Sequence, residues 1–105
     1  DCVMPTRNGR NAMLFTYEGT MNMKNKKWEN DFTPIDSSGC DIDVVCTKAY
    51  LHHLFKAKEY LALQIASIHN LAFYLRLVTD ARQHIEQGDF VSWKRSIIEQ
   101  LGRRI

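Results

Sequence analysis

Asp1-Cys-Val-Met-Pro-Thr-Arg-Asn-Gly-Arg-Asn11 opens the chain, and its order of residue types decides how the rest is read. A carboxylate stands at the head of a short apolar run, Cys2-Val3-Met4. Pro5 then leads into a polar Thr6-Arg-Asn-Gly-Arg-Asn11 stretch. This is the pattern by which the end of a buried strand delivers one acid to a site lined with cations. Residues 1–5 therefore read as the end of a strand and residues 6–11 as a loop. Taken alone, Asp1 reads as a turn-capping carboxylate, and Arg7-Asn8-Gly9-Arg10 as a solvated turn.

Outward from this stretch, Met13-Leu-Phe-Thr-Tyr17 and Thr20-Met-Asn-Met23 read as short strands around a Glu18-Gly19 turn. Asn25 to Gly39, rich in Asn, Asp, Ser and Pro, reads as loop. From Thr47 the period becomes helical. Tyr50, Leu51, Leu54 and Phe55 share a face of a short helix ending near Lys58. Leu61, Ile65, Ile68, Leu71, Leu75, Val78 and Ile85 form the stripe of a long helix, expected to be core, with Gly88 as its stop. Asp89 is placed to cap a third helix whose inner face is Phe90, Trp93, Ile97 and Leu101.

The net charge of +2 hides three zones. Residues 1–27 carry Arg7, Arg10, Lys24, Lys26 and Lys27 against Asp1 and Glu18. Residues 28–43 carry five acids and no Lys or Arg, and the remainder is basic again. A basic N-terminal zone suits phosphates, and it suits a soluble surface equally well. An odd count of three cysteines argues against a disulfide framework and fits a reducing, cytoplasmic setting. Tyr60 to Val78 is the most apolar stretch, but Gln64, His69, Asn70 and Arg76 interrupt it, so it is not read as a membrane span.

The opening string resembles the nucleophile segment of the tRNA-guanine transglycosylases (queuine tRNA-ribosyltransferases) of bacterial type. The resemblance returns at Leu14-Phe-Thr16, Asn22-Met-Lys-Asn25, Pro34-Ile-Asp36, Ala49-Tyr-Leu-His-His-Leu54 and His69-Asn-Leu-Ala-Phe-Tyr74. It implies an enzyme that exchanges guanine at the tRNA wobble position for a 7-deazaguanine in the queuosine pathway, through a covalent Asp–ribose intermediate. It also implies a (β/α)8 barrel, which needs roughly 250 residues. At 105 residues the chain is then a mostly helical α+β fragment, the C-terminal part of such a barrel with its inserted metal-binding subdomain. Residues 1–46 would hold the last strand, the nucleophile and tRNA loop and a β/loop subdomain; residues 47–105 would be the helical closing segment.

The resemblance makes Asp1 the nucleophile and places Thr6, Arg7, Asn8, Gly9 and Arg10 against tRNA. It gives Tyr50 and His53 to a homodimer interface. Where the family commonly has Gly, this chain has Ala12, and because alanine resists positive φ an altered loop is expected. The family holds zinc with Cys-x-Cys-x2-Cys and a later His that opens a His-Asn pair, here His69-Asn70. Counting back from Ala49-Tyr-Leu51, the cysteine positions fall on Ser38, Cys40 and Asp43; counting forward from Pro34-Ile-Asp36, on Gly39, Asp41 and Val44. Neither count preserves the motif. Cys40, Cys46 and His69, with Asp43 or Asp41 as a fourth donor, are the nearest to a zinc set, and the expected site is degenerate, with little or no zinc. The competing reading is a non-catalytic helical module that self-associates or binds RNA through faces a barrel would otherwise cover.

Overall fold

Alternation of large and polar residues makes Met13–Thr16 (β1) and Gly19–Asn22 (β2) a two-stranded antiparallel hairpin, with Leu14 opposite Met21 and Phe15 opposite Thr20. Leu14, Met21 and Met23 point into the core, where Trp28, Ile35, Leu51, Leu54, Ile65 and Ala66 meet them. The computed structural model describes residues 3–105. Five helices surround the hairpin: α1 (Met4–Arg10), α2 (Asp41–Val45), α3 (Lys48–Lys56), α4 (Tyr60–Gln87) and α5 (Phe90–Leu101). Between β2 and α2 the chain is irregular apart from one 3-10 turn at Lys26–Trp28, in keeping with its turn-rich composition. The molecule is thus α+β and mostly helical.

The first correction concerns the opening stretch. Pro5, placed in the first turn, has the fixed φ and missing N–H that a helix start tolerates. Residues 4–10 accordingly wind into α1 instead of continuing a strand into a loop. The helix packs against α4 so closely that a Cβ on Gly9 would lie 3.1 Å from the Ser67 backbone nitrogen. The short α2, within the acidic zone, was likewise unexpected; it starts beside the Asp43 carboxylate, which accepts the Cys40 N–H.

The long helix corrects the expected core. At about 100° per residue, the buried residues Ala62, Ile65, Ala66, His69, Asn70 and Phe73 lie almost opposite the aliphatic stripe. Of that stripe only Ile65 is buried; Leu61 is 42% exposed and Leu75 71%. α4 is long and apolar enough by composition to cross a membrane. Its inward face is nevertheless built from small residues and a His-Asn pair bonded to the hairpin, which is how a core helix uses polar groups.

The other helical boundaries follow their signals. Thr47 caps α3 by accepting the Tyr50 N–H. Gly88 ends α4 in the left-handed region at φ 81°. Phe90, Trp93, Ile97 and Leu101 form the less exposed face of α5, although none is fully buried. Trp93 stacks on His84 at 4.9 Å between ring centroids. Asp89 does not cap α5 with its side chain; its carboxylate pairs with His84 Nδ1 at 2.8 Å.

Ala12 takes the conformation that alanine resists. It is fully buried at φ 66°, and its carbonyl accepts the Met23 N–H. The left-handed region costs an L-residue about 1–2 kcal/mol, while the extra chain entropy of glycine offsets about 0.4–1 kcal/mol of any gain. Ala12→Gly is therefore expected to raise stability by up to about 1 kcal/mol, read as a higher urea midpoint at unchanged slope. A lower midpoint would show that the Ala12 methyl packs better than its backbone is strained.

Candidate functional site

Two adjacent residues of α4 hold the hairpin in place. In β1 the backbone groups of Met13 and Phe15 point away from β2, and they would be orphaned on a buried edge. Asn70 Oδ1 accepts the Phe15 N–H at 3.1 Å, and its Nδ2 donates to the Met13 carbonyl at 2.9 Å and the Pro5 carbonyl at 3.1 Å. His69 Nε2 donates to the Phe15 carbonyl at 2.7 Å. The two side chains together stand in for a third strand and tie in the start of α1. The far edge of β2 is sealed by the chain itself, since Thr20 bonds to Arg103 and Ile105.

α1 carries the sequence-predicted tRNA segment. Asp1 lies outside the described residues. Arg7 and Arg10 are exposed, three residues apart and hence on neighbouring positions of one face, and neither forms an ion pair with a described residue. Arg10 shares a hollow of about 270 Å³ with Lys24, Lys58 and Tyr60. Of the other three members, Thr6 and Asn8 are half-buried and bond back along the chain, Thr6 Oγ1 donating to the Val3 carbonyl and Asn8 Nδ2 to the Met4 carbonyl, while Gly9 is buried against α4.

On α3, the adjacent histidines separate. His52 is buried, with Nδ1 2.7 Å from the Met23 carbonyl, whereas His53 and Tyr50 lie on the outside. Sequence reasoning gave no role to His52, and its place in the apolar-face register with Leu51 and Phe55 is the signal that could have found it.

The presumed metal donors are not assembled as a zinc set. Among the described residues no three His, Cys, Asp or Glu side chains are arranged to hold a metal ion. His69 and Asp43, each 1% exposed, pair at 2.7 Å between Nδ1 and Oδ1. With Nε2 bound to the Phe15 carbonyl, both ring nitrogens are occupied. Asp43 Oδ2 accepts from the Cys40 N–H at 3.2 Å and from its Sγ at 3.5 Å. Cys46 packs against the core, and Asp41 is exposed. Burial pushes both thiols, Cys40 and Cys46, above their ordinary range. The Arg76 guanidinium lines the same hollow, opposing a divalent cation. The residues present do not fit the zinc that the resemblance implies.

Arg76 was also missed from sequence. It donates to the Ser38 carbonyl at 3.0 Å and to Ser38 Oγ at 3.3 Å, and it lies over the Tyr17 ring at 4.7 Å. Tyr17 in turn donates its hydroxyl to Asp80. Burial first, and the Asp80 acceptor second, hold that phenol well above the usual tyrosine range.

Residues 1–103 match the family model described as Queuine tRNA-ribosyltransferase. The chain belongs to the queuine tRNA-ribosyltransferase family. It is 50% identical over 105 residues to the Queuine tRNA-ribosyltransferase of Helicobacter pylori strain HPAG1, covering 99% of this chain and 28% of that protein. The protein of the same name from Helicobacter acinonychis is 50% identical over 95% of this chain and 27% of its own length. That of Clostridium kluyveri is 46% identical over the same shares. The chain thus spans a little over a quarter of the length of the curated relatives it matches.

Asn70→Ala removes the side-chain partner of three backbone groups, at about 1–3 kcal/mol for each one left unpaired where water cannot reach. A loss on the order of 3 kcal/mol is expected in urea unfolding. Asn70→Asp should lose nearly as much, because a carboxylate cannot donate to the Met13 and Pro5 carbonyls. Near-parental stability of both variants would remove Asn70 from its anchoring role.

Proposed function

We propose that this chain is part of a tRNA-guanine transglycosylase, in which it supplies the nucleophile and a cationic surface for tRNA. The observation that carries this reading is the family match over residues 1–103, which takes in the whole opening stretch. The reaction exchanges guanine at the wobble position for a 7-deazaguanine, a base-exchange step of queuosine formation. The Asp1 carboxylate attacks C1′ of the nucleotide as the bond to guanine N9 breaks, and a covalent ester to the ribose results. Guanine leaves with a proton from an acid elsewhere in the complete enzyme. N9 of the incoming 7-deazaguanine then attacks C1′, loses its proton, and releases Asp1 as a carboxylate.

Arg7 and Arg10 are the residues of the opening stretch that reach outward to phosphate or base edges. Thr6, Asn8 and Gly9 contribute by shaping and seating α1. Lys24 and Lys58 line the hollow beside Arg10 and, against the single carboxylate of Glu59 there, leave it net cationic. The exposed aliphatic stripe on α4, together with Val91 and Ile98 on α5, supports a place for this chain within a larger protein that covers those side chains. Tyr50 and His53, outward on α3, are left to a homodimer contact. A tRNA substrate assigns the enzyme to the cytoplasm.

In the complete enzyme, Asp1→Asn should abolish the covalent tRNA adduct seen on denaturing gels while leaving tRNA affinity within a few-fold. An adduct that survives this substitution would assign the nucleophile to another residue. Arg7→Ala and Arg10→Ala should each weaken tRNA binding and flatten its dependence on log salt by about one unit for every phosphate the arginine had met. An unchanged slope would mean that neither arginine meets a phosphate. The 105-residue chain alone should not incorporate labelled guanine into tRNA; incorporation would show that the general acid and base pocket are not needed from elsewhere.

A further inference from the structure

We infer that the Asp43 carboxylate takes the place of a metal ion in this chain, clamping the 36–40 loop and the start of α2 to α4 and the hairpin without metal. The inference is independent of whether the chain exchanges a base. Asp43 falls on the third cysteine position of the zinc pattern when the count runs back from Ala49. In the structure it sits where a shared ligand would have to be, between the His69 ring and the Cys40 backbone and thiol.

The protons can be followed atom by atom. The Phe15 carbonyl has none to give, so His69 Nε2 carries the hydrogen of that 2.7 Å bond. A second proton lies between His69 Nδ1 and Asp43 Oδ1 at 2.7 Å. A fully bonded pair tolerates burial that a lone charge does not. Its other oxygen, Oδ2, takes the Cys40 N–H and thiol, and among the described residues no buried side-chain nitrogen or oxygen lacks a partner.

The surrounding loop is shaped for this carboxylate. A Cβ on Gly39 would lie 2.2 Å from Asp43 Oδ2 and 2.9 Å from its Cγ. Any side chain at position 39 would therefore expel the carboxylate or break the turn. Further along α4, Arg76 holds the same loop by the Ser38 carbonyl and hydroxyl. The loop is latched to α4 at two points, His69 to Asp43 and Arg76 to Ser38.

The test compares the 105-residue chain with its Asp43→Ala, Asp43→Asn and Gly39→Ala variants, all expressed with added zinc. Elemental analysis and thermal melting, with and without EDTA and with excess zinc, are the readouts. The parent should hold far less than one zinc per chain, and its melting temperature should be the same under all three conditions. Asp43→Ala and Gly39→Ala should melt lower by on the order of 10 °C. Asp43→Asn, which keeps the shape but turns an N–H toward another donor, should fall between them and the parent. Excess zinc should restore none of the three, including any variant that fails to fold. Stoichiometric zinc with a melting point that drops in EDTA would overturn the inference. So would zinc rescue of a variant, or an Asp43→Ala protein that melts with the parent.

Discussion

The outer edge of β1 is satisfied by side chains, and the rest of the architecture depends on that substitution. A two-stranded hairpin is marginal by itself in water, and its free edges invite pairing with other chains. Here the donor and acceptors of Met13 and Phe15 are met by His69 and Asn70 from a helix more than fifty residues away. The same Asn70 amide reaches the Pro5 carbonyl, so α1 is registered against the hairpin by the group that registers the hairpin against α4. On its other ring nitrogen His69 passes the connection to Asp43 and the start of α2. Three segments, α1, β1 and the start of α2, thus converge on two neighbouring residues of α4.

This arrangement bears directly on the functional reading. The cationic residues Arg7 and Arg10 stand on a helix whose inner side is fixed by Pro5 and Gly9, so their positions follow from the packing of α1 on α4. Asp1 precedes that helix by a few residues in the chain. A shift of the hairpin relative to α4 would move the candidate tRNA surface as a body. Such dependence explains how residues that touch no substrate can still matter to positioning.

Much of this was legible in the sequence, and the failures share a cause. The hairpin, the start of α3 at Thr47, the end of α4 at Gly88 and the inner face of α5 followed from local signals that carry their own geometry. The buried face of α4 did not, because hydropathy flags large aliphatics, whereas this face is Ala62, Ala66, His69 and Asn70 beside Ile65 and Phe73. Its polar members are buried through bonds to β1 that no local pattern announces. The opening stretch reads as strand and loop because Gly9, Asn8 and Asn11 look like a turn; tight packing on Ser67 is a tertiary reason for that glycine. Of the site, Arg7 and Arg10 were visible as charges, and the zinc donors as residue types. That Asp43 would bond His69 could not be read from spacing alone.

Native-state hydrogen exchange at the Phe15 amide measures the central claim most directly. This N–H lies on the side of β1 away from β2, and a free edge amide would exchange with little protection. If Asn70 holds it, its exchange should require global unfolding and match the slowest amides of α4. Exchange at a rate close to that of an exposed amide would contradict the anchoring role of the His69–Asn70 pair.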